Sequence, residues 1–379
     1  MYKIINRKKL VVTAVADTLG KAMSLPWRMF QGDVSIAPDK IKSILVIRTA
    51  YMGDVIMTLP MLKPLKGQFN NASITFLAPN AAGELFANNP YVDEVMTYSP
   101  FWFYKGSSIS DYFRFLGGLR AKSFDLVIEA RADIRDIMAI VAPARSKHKV
   151  SYDVGGGGWM LTHVTPYAGL KHKVEYHLDI ARDLGCSMDG LDWGIRFTGQ
   201  ERQRVNAILE NRGVSKPFAL VHPGSRLPLK MWAPEKYGEL IGRMTAELGM
   251  RVAVLGHPAE KMATEITLAS AKGAAIDLSG AFSARELMGV IAEASGLVCN
   301  DSAPMHMASA VGTKVAALFG PSKSVETGPY GVKSKVVERD FPCRFTCDEN
   351  RCLFARHNAC MKDITVEETF AAVRELVEA

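Results

Sequence analysis

Short runs of apolar residues alternate with longer stretches of mixed polarity along most of the chain. The apolar runs lie at 43–48, 74–77, 94–98 and 125–129, and again at 218–222, 251–255, 296–299 and 315–319. Runs of this length predict strands that are covered by helices on both faces, as in parallel sheets. The stretches between them predict helices, and several carry end signals: Pro234 at a start, Gly249 and Gly312 at two ends, and a capping box of Ser283 and Glu286. The pattern therefore predicts an α/β protein.

The β/α alternation occurs twice, which predicts two Rossmann-like parallel-sheet domains. The stretch 190–214 differs in character and is interpreted as the passage between them. We place the first domain at 43–200 and the second at 201–379, the latter with a cysteine-rich tail and a closing helix. Residues 1–42 form an N-terminal extension outside both domains.

The loops that follow the strands carry the candidate chemistry, because ligands of open α/β sheets bind at the carboxyl edge. Asp54 follows the first strand, and Asp301 and Ser302 precede a helix that begins near Pro304. Each is either a helix cap or a group aimed into a pocket, where the free N–H groups of a helix N-terminus favour phosphate. His306 is either a core histidine or part of that pocket. The first loop lacks GxGxxG, which argues against a dehydrogenase.

The N-terminal extension combines basic and apolar residues. Lys3, Arg7, Lys8 and Lys9 precede apolar residues at roughly helical spacing, and the segment 26–30 adds aromatic side chains. This pattern predicts either an interfacial amphipathic helix with an aromatic anchor or a helix packed on the protein's own surface. Because Asp17 interrupts the apolar stretch, a signal peptide is disfavoured.

The net charge of +7 and the pI near 9.0 indicate an anionic partner. The basic residues are scattered among carboxylates without a basic-aromatic stripe, so phosphorylated ligands or an anionic membrane are expected rather than nucleic acid. Arg131 and Arg135 follow the strand at 125–129 and either receive an anionic acceptor or form a solvated charged face. The four glycines at 155–158 form either a mobile loop or a phosphate-binding loop.

Six cysteines in 379 residues do not make a disulfide scaffold, and they favour a reducing compartment. Four of them lie close together in the tail without the paired CxxC spacing of ordinary zinc sites: Cys343, Cys347, Cys352 and Cys360. Four thiols in eighteen residues could hold zinc or iron, but we expect free or redox-labile thiols rather than a metal site, and no cofactor.

Three separated motifs are the most distinctive: ILVIRTAYMGDVIMTLP at 44–60, ALVHPGSRLPLKMWAPEKY at 219–237 and NDSAPMHMASAVGTKVAALFGPSKSVETGPYG at 300–331. Together they resemble glycosyltransferase family 9, the heptosyltransferases of lipopolysaccharide core assembly. The resemblance covers residues 43 to about 379. It implies a GT-B fold, with two Rossmann-like domains facing a cleft, the acceptor held mainly by the first domain and the nucleotide sugar by the second. Ala303 stands where many members carry glycine.

The resemblance also implies residue roles. Asp54 matches the family's general base, and Lys230 matches the lysine that meets the donor diphosphate. The donor-binding set implied is Gly224, Ser225, Lys230, Asp301, Ser302 and His306. Transfer would be inverting and independent of metal, and Arg131 and Arg135 would face a phosphorylated, lipid-linked acceptor.

The expected function is transfer of a heptose from ADP-heptose to the lipopolysaccharide inner core on a lipid A-linked acceptor. The expected location is the cytoplasm, with peripheral contact to the inner membrane as a further hypothesis. Two alternatives stay open: a family 9-type transferase that uses another nucleotide sugar for a different surface glycan or a protein, and a binding module without turnover.

Overall fold

Two compact units make up the part of the chain that the computed structural model describes, residues 7–30, 36–344, 347 and 349–378. Within the first helix, side chains are described from Leu10 to Ser24. Unit 1 extends to Ile195 and unit 2 begins at Arg196. Each unit is built on one six-stranded sheet in which all paired strands are parallel.

Unit 1 contains a strand at each of the four predicted apolar runs and two further strands, at 146–151 and 163–164, that no apolar run predicted. Its strands are β1 (Ser43–Ile47), β2 (Ser73–Ala78), β3 (Glu94–Thr97), β4 (Phe124–Glu129), β5 (Ser146–Ser151) and β6 (His163–Val164). Its helices are α1 (Arg7–Phe30), α2 (Met52–Thr58), α3 (Leu62–Gln68), α4 (Ile109–Ala121), α5 (Ile134–Asp136) and α6 (Lys173–Asp183). Short 3₁₀ segments lie at Pro38–Lys40, Leu59–Met61, Asn80–Phe86 and Gly158–Met160, and a π-helical turn lies at Ile137–Val141.

Unit 2 repeats this architecture. Its strands are β7 (Ala219–His222), β8 (Val252–Val254), β9 (Ala275–Asp277), β10 (Gly296–Asn300), β11 (Val315–Phe319) and β12 (Ser334–Glu338). Its helices are α7 (Gly199–Asn211), α8 (Pro234–Leu248), α9 (Lys261–Ser270), α10 (Ala284–Glu293), α11 (Ala303–Val311), α12 (Ser324–Thr327), α13 (Ala359–Lys362) and α14 (Val366–Glu378). Two 3₁₀ segments lie at Pro228–Lys230 and Pro258–Glu260.

The central strands are buried on both faces, which explains why they are apolar at successive positions. Leu45 and Ile47 on β1 and Val127 on β4 pack in the core of unit 1, and Val221 and Val298 pack in that of unit 2. Burial of each such side chain contributes about 1.5–3 kcal/mol. The predicted end signals are present as well: Ser283 and Glu286 form the capping box of α10, and Gly249 and Gly312 end α8 and α11 in the left-handed conformation.

The strand order of both sheets determines where a ligand can bind. The first sheet runs β3-β2-β1-β4-β5-β6 and the second β12-β11-β10-β7-β8-β9. Both are the Rossmann order, in which the strand sequence reverses between the two central strands. The crevice at this switch point lies outside the carboxyl ends of β1 and β4 in unit 1, and of β7 and β10 in unit 2. The loops that follow these four strands are therefore the first places to look for a site.

The N-terminal helix α1 packs on unit 1, where Asp17 accepts a hydrogen bond from the Gly157 amide at 2.7 Å. The glycine segment at 155–158 thus contacts α1 through Gly156 and Gly157. Among the described residues, no helix is both long enough and apolar enough to span a membrane.

Candidate active site

Asp54 lies in the first turn of α2, directly after the loop that leaves β1. Two cations hold its carboxylate: Arg48 Nη2 at 2.9 Å and Lys173 Nζ at 3.2 Å from Oδ1. Tyr51, which precedes the helix, has a φ of 33°, and its amide donates to the Tyr104 hydroxyl at 2.8 Å. A non-glycine residue in this region of φ is strained, and such strain is typical of functional loops.

The charge state of Asp54 follows from these neighbours. Burial alone would raise its pKa, but Lys173, Arg48 and Arg131 outweigh that effect and hold the pKa of Asp54 well below its usual range. The carboxylate is therefore ionised at neutral pH, and its side chain keeps 15% of its surface exposed. An ionised, accessible carboxylate at the switch point can accept a proton from a bound hydroxyl.

Arg131 and Arg135 lie in the loop after β4 and are brought together by the ring of Phe103. Their guanidinium carbons lie 3.9 Å and 4.4 Å from its centroid. Asp133 pairs with both, at 2.7 Å from Arg135 and 3.6 Å from Arg131. Among the described residues, Nη1 of Arg131 is buried without a hydrogen-bond partner. The two arginine side chains as a whole keep 23% and 43% of their surface exposed, so an anionic ligand can reach them.

Two further carboxylates, Glu129 and Asp136, are fully buried beneath this loop. Asp136 accepts from the Thr49 hydroxyl at 2.8 Å and from the Trp102 indole at 2.9 Å. Glu129 accepts from the Ser151 hydroxyl and from two backbone amides of the loop. Burial, followed by the charge of Asp136, raises the pKa of Glu129. These bonds fix the loop that carries the arginines.

In unit 2, Asn300 at the end of β10 organises the switch-point loops. Its Nδ2 donates to the carbonyls of Pro223 at 2.7 Å and Gly224 at 3.2 Å. Its Oδ1 accepts from the Trp232 amide at 3.1 Å and the Tyr237 hydroxyl at 3.0 Å. One buried amide therefore holds the loop after β7 against the segment that carries Lys230.

Lys230 lies between two carboxylates, with Nζ 2.8 Å from Asp301 Oδ2 and 2.8 Å from Glu349 Oε2. Its side chain is 14% exposed. Burial would lower the pKa of Lys230, but the two negative charges raise it overall. Likewise, burial would raise the pKa of Asp301, but Lys230 and His306 lower it. The pair is fully charged, and Glu349 occupies a position from which an anion could approach the ammonium.

The other predicted donor residues surround this pair. Ser225 is buried, with its hydroxyl 3.5 Å from the Asp301 carbonyl. The hydroxyl of Ser302 lies 3.3 Å from His222 Nδ1 and 3.2 Å from the Asn300 carbonyl oxygen, so it faces the switch point rather than capping α11. His306 is buried in the first turn of that helix. Unit 2 thus brings the predicted donor set together.

Gly224 lies close to the end of the Glu260 side chain, a contact that the sequence did not indicate. A Cβ at this position would lie 2.3–2.6 Å from the carboxylate atoms of Glu260. Glu260 in turn lies 3.2 Å from His222 Nε2. Burial would raise the pKa of Glu260, but His222 lowers it, so this carboxylate is an ionised acceptor beside the loop.

The four tail cysteines line one small cavity together with Phe341, Phe354 and Leu229. Burial, followed by the neighbouring thiols, raises the pKa of Cys347 to about 11, so this thiol is protonated at neutral pH. The two cysteines outside the tail, Cys186 and Cys299, are buried free thiols. No group of three or more His, Cys, Asp or Glu side chains is placed to hold a metal ion within the residues that the structure describes.

Sequence reasoning missed the partners of these groups. Arg48 lies in the first of the three motifs without a predicted role, and no role was predicted for Lys173. Asn300, Glu260 and Glu349 were not singled out. A polar asparagine at the end of an otherwise apolar strand was the one local signal available, because an interior polar side chain needs hydrogen-bond partners.

Comparison with known proteins identifies the family. The model of glycosyltransferase family 9 (heptosyltransferase) matches residues 112–355. Lipopolysaccharide heptosyltransferase 3 of Escherichia coli K12 is 25% identical over 86% of this chain and 96% of its own length. Lipopolysaccharide heptosyltransferase 2 of Salmonella typhimurium is 25% identical over 78% of this chain and 87% of its own length.

Solved structures show the same fold. A glycosyl transferase family 9 protein from Veillonella parvula superposes with a TM-score of 0.76 at 21% identity, covering 92% of this chain and all of its own. The E. coli ADP-heptose heptosyltransferase II superposes with a TM-score of 0.69 at 21% identity, covering 89% and 98%. The predicted fold class, a GT-B arrangement of two Rossmann-like parallel sheets, and the predicted enzyme class are confirmed. The chain belongs to glycosyltransferase family 9 (heptosyltransferase).

Proposed function

We propose that this enzyme transfers a heptose from ADP-heptose to the lipopolysaccharide inner core, on a lipid A-linked acceptor. The curated relatives are named for lipopolysaccharide heptosyl transfer, and one solved heptosyltransferase of the same fold carries ADP-2-deoxy-2-fluoro heptose. The observation that supports the proposal most is that each Rossmann-like unit has, at its own switch point, a side chain suited to one part of the transfer: a base in unit 1 and a diphosphate-binding cation in unit 2. Unit 1 presents the ionised Asp54, and unit 2 presents Lys230 beside Asp301.

Asp54 acts as the general base. It takes the proton of the acceptor hydroxyl while the oxygen bonds to the anomeric carbon and the bond from that carbon to the diphosphate breaks, with its electron pair leaving on ADP. Attack from the face opposite the diphosphate inverts the anomeric centre. A carboxylate held by two cations is a weak base, but it suffices because the hydroxyl becomes strongly acidic as it bonds to an oxocarbenium-like carbon.

Unit 2 stabilises the departing diphosphate. Lys230 supplies a full positive charge, and the N-terminal turn of α11 supplies backbone N–H groups and the positive end of the helix dipole. Gly224 and Ser225 lie in the adjoining loop, and Ser302 and His306 lie at the start of α11. Charge stabilisation by these groups needs no metal ion.

The acceptor binds to unit 1 through Arg131 and Arg135. Stacking on Phe103 holds both guanidinium groups, and these partly exposed cations favour an anion such as a core phosphate. A lipid-linked acceptor implies a cytoplasmic enzyme that works peripherally at the inner membrane.

Product analysis by mass spectrometry tests the donor and the acceptor. Purified protein is incubated with truncated lipopolysaccharide and with ADP-heptose or, separately, with UDP- and GDP-linked hexoses. We expect the acceptor to gain one heptose with ADP-heptose alone. Transfer from another nucleotide sugar would establish the alternative donor, and the absence of both transfer and ADP binding would favour a binding module.

A further inference from the structure

Helix α1 exposes a continuous apolar face that nothing in unit 1 covers among the described residues. Five aliphatic side chains on it are between 55% and 82% exposed: Val11, Val12, Val15, Leu19 and Met23. At 3.6 residues per turn they occupy an arc of roughly 120° on one side of the helix. We call this set the apolar stripe.

The opposite side of α1 is the one that packs on unit 1. Thr13 and Asp17 are buried there, and the Asp17 carboxylate accepts from the Gly157 amide. Gly20 is buried too, and a Cβ on it would lie 2.1 Å from Trp159. The helix is therefore docked in one orientation through small and polar residues, which is the reverse of a surface helix that buries its apolar side. Docking in this way keeps the apolar stripe outward.

The charge of the segment indicates what the stripe meets. Residues 1–30 contain six basic residues, Lys3, Arg7, Lys8, Lys9, Lys21 and Arg28, and a single acidic residue, Asp17. Asp17 is buried against unit 1, so the charge that the segment offers to a partner is positive. A helix with an apolar stripe and basic residues matches the interface of an anionic bilayer, which takes up aliphatic side chains and attracts Lys and Arg.

The docking site of α1 adjoins the loop that carries the proposed acceptor arginines. Gly155 approaches the Ala132 carbonyl so closely that a Cβ would lie 1.7 Å from its oxygen, and Ala132 directly follows Arg131. The glycine segment therefore contacts α1 on one side and the acceptor loop on the other. A membrane bound to the stripe would lie on the same unit as the groups proposed to bind a lipid-linked substrate.

We propose that the apolar stripe of α1 is the surface by which this enzyme binds the anionic lipid bilayer, as an interfacial helix lying in the membrane plane. The purpose of the contact rests on the proposed function, since a lipid-linked acceptor resides in that bilayer. Binding of the stripe to the bilayer is independent of the proposed function, because it requires neither the sugar donor nor the acceptor. A second copy of the chain is the less favourable occupant, because pairing two such helices would bring their basic residues together.

Vesicle co-sedimentation of the full chain tests this surface. The vesicles are phosphatidylcholine alone or with about one-third phosphatidylglycerol, and no substrate is added. The stripe variant is V15Q/L19Q, two exposed side chains four residues apart on α1. The matched control is I109Q/F113Q, an equally spaced pair on α4 that is 61% and 64% exposed. All four positions lie on the surface, so both variants are expected to fold, which circular dichroism checks.

We expect the wild type to bind the anionic vesicles and to be released by high salt. The stripe variant should bind at least about tenfold more weakly, since each buried aliphatic side chain accounts for roughly that factor, and the control should bind like the wild type. Equal binding by wild type and stripe variant, or equal loss in both variants, would overturn the proposal. The proposal would also be overturned if the wild type did not bind vesicles and sedimentation equilibrium gave the mass of a dimer for the wild type and of a monomer for the stripe variant. Heptosyl transfer to a delipidated, water-soluble acceptor is measured in parallel. This separates failure of the proposed enzymatic function from failure of the proposed membrane contact.

Discussion

The contact between Glu349 and Lys230 predicts that removing one negative charge will strengthen donor binding. Glu349 pairs with the lysine that is proposed to meet the donor diphosphate. A diphosphate that approaches the ammonium must displace this carboxylate, whereas Asp301 remains as a buried partner that holds the lysine in place. The Glu349→Gln variant keeps the shape of the side chain and removes the competing charge.

The size of the effect follows from the distance and the exposure. Two unit charges 2.8 Å apart interact by about 1.5 kcal/mol in a water-like dielectric and by about 6 kcal/mol at an effective dielectric of 20. Glu349 is 40% exposed, so the lower figure applies, and ordering of the side chain reduces it to about 1 kcal/mol. Loss of this competition should tighten ADP binding by about fivefold.

Isothermal titration calorimetry with ADP at pH 7 measures this directly. The control is Glu367→Gln, which removes an exposed carboxylate paired with Arg243 on the same unit, and it should leave ADP affinity unchanged. The difference between wild type and Glu349→Gln should shrink at high salt. Unchanged or weaker ADP binding by Glu349→Gln, or the same gain in the control, would refute the reasoning.

Three further predictions follow from single contacts. The pKa of Asp54 lies well below its usual range, so this carboxylate stays ionised throughout pH 5–8, and kcat/KM of the wild type should not fall toward the acid end of this range. Lys173→Met removes one cation and raises the pKa of Asp54, so this variant should begin to lose activity at a higher pH than the wild type as the pH is lowered. Gly20→Ala places a Cβ 2.1 Å from Trp159 and should weaken the packing of α1 by about 1–3 kcal/mol. Amide hydrogen exchange in α1 should become roughly tenfold faster, and unchanged exchange would contradict the described packing. Asn300→Ala removes the hydrogen-bond partner of four buried groups. It should therefore lower the free energy of unfolding, measured by urea denaturation, by about 3 kcal/mol.

Eight strands and the helix ends were predictable because their signals are local. The other four strands, β5, β6, β9 and β12, are short or polar in sequence and were not predicted. Buried parallel strands need apolar residues at successive positions, and the left-handed ends of α8 and α11 need glycine. The positions of Asp54 and Asp301 at the switch points also follow from the sequence, once the strands are placed and the order of a Rossmann sheet is assumed.

The partners of these carboxylates were not predictable, because they come from distant parts of the chain. Lys173 is 119 residues from Asp54, and Glu349 reaches Lys230 from the cysteine-rich tail. No periodicity or spacing encodes such a pairing; it appears only when tertiary packing brings the loops together. The same holds for the glycines at 155–158, whose role as the docking surface of α1 depends on Asp17 and Gly20.

The Asp54→Asn variant gives the most direct test of the central claim that Asp54 is the base of a heptosyl transfer. Asparagine preserves the size of the side chain but cannot take the proton. The measurement is mass spectrometric detection of heptosylated acceptor after incubation with ADP-heptose, with ADP binding by each protein as the check of folding and donor affinity. We predict that the wild type forms product and that Asp54→Asn binds ADP normally while its kcat falls by at least about a hundredfold, the lower range of a general-base contribution. Undiminished transfer by Asp54→Asn would contradict the assignment of the base, and absence of transfer by the wild type with every truncated acceptor would contradict the proposed reaction.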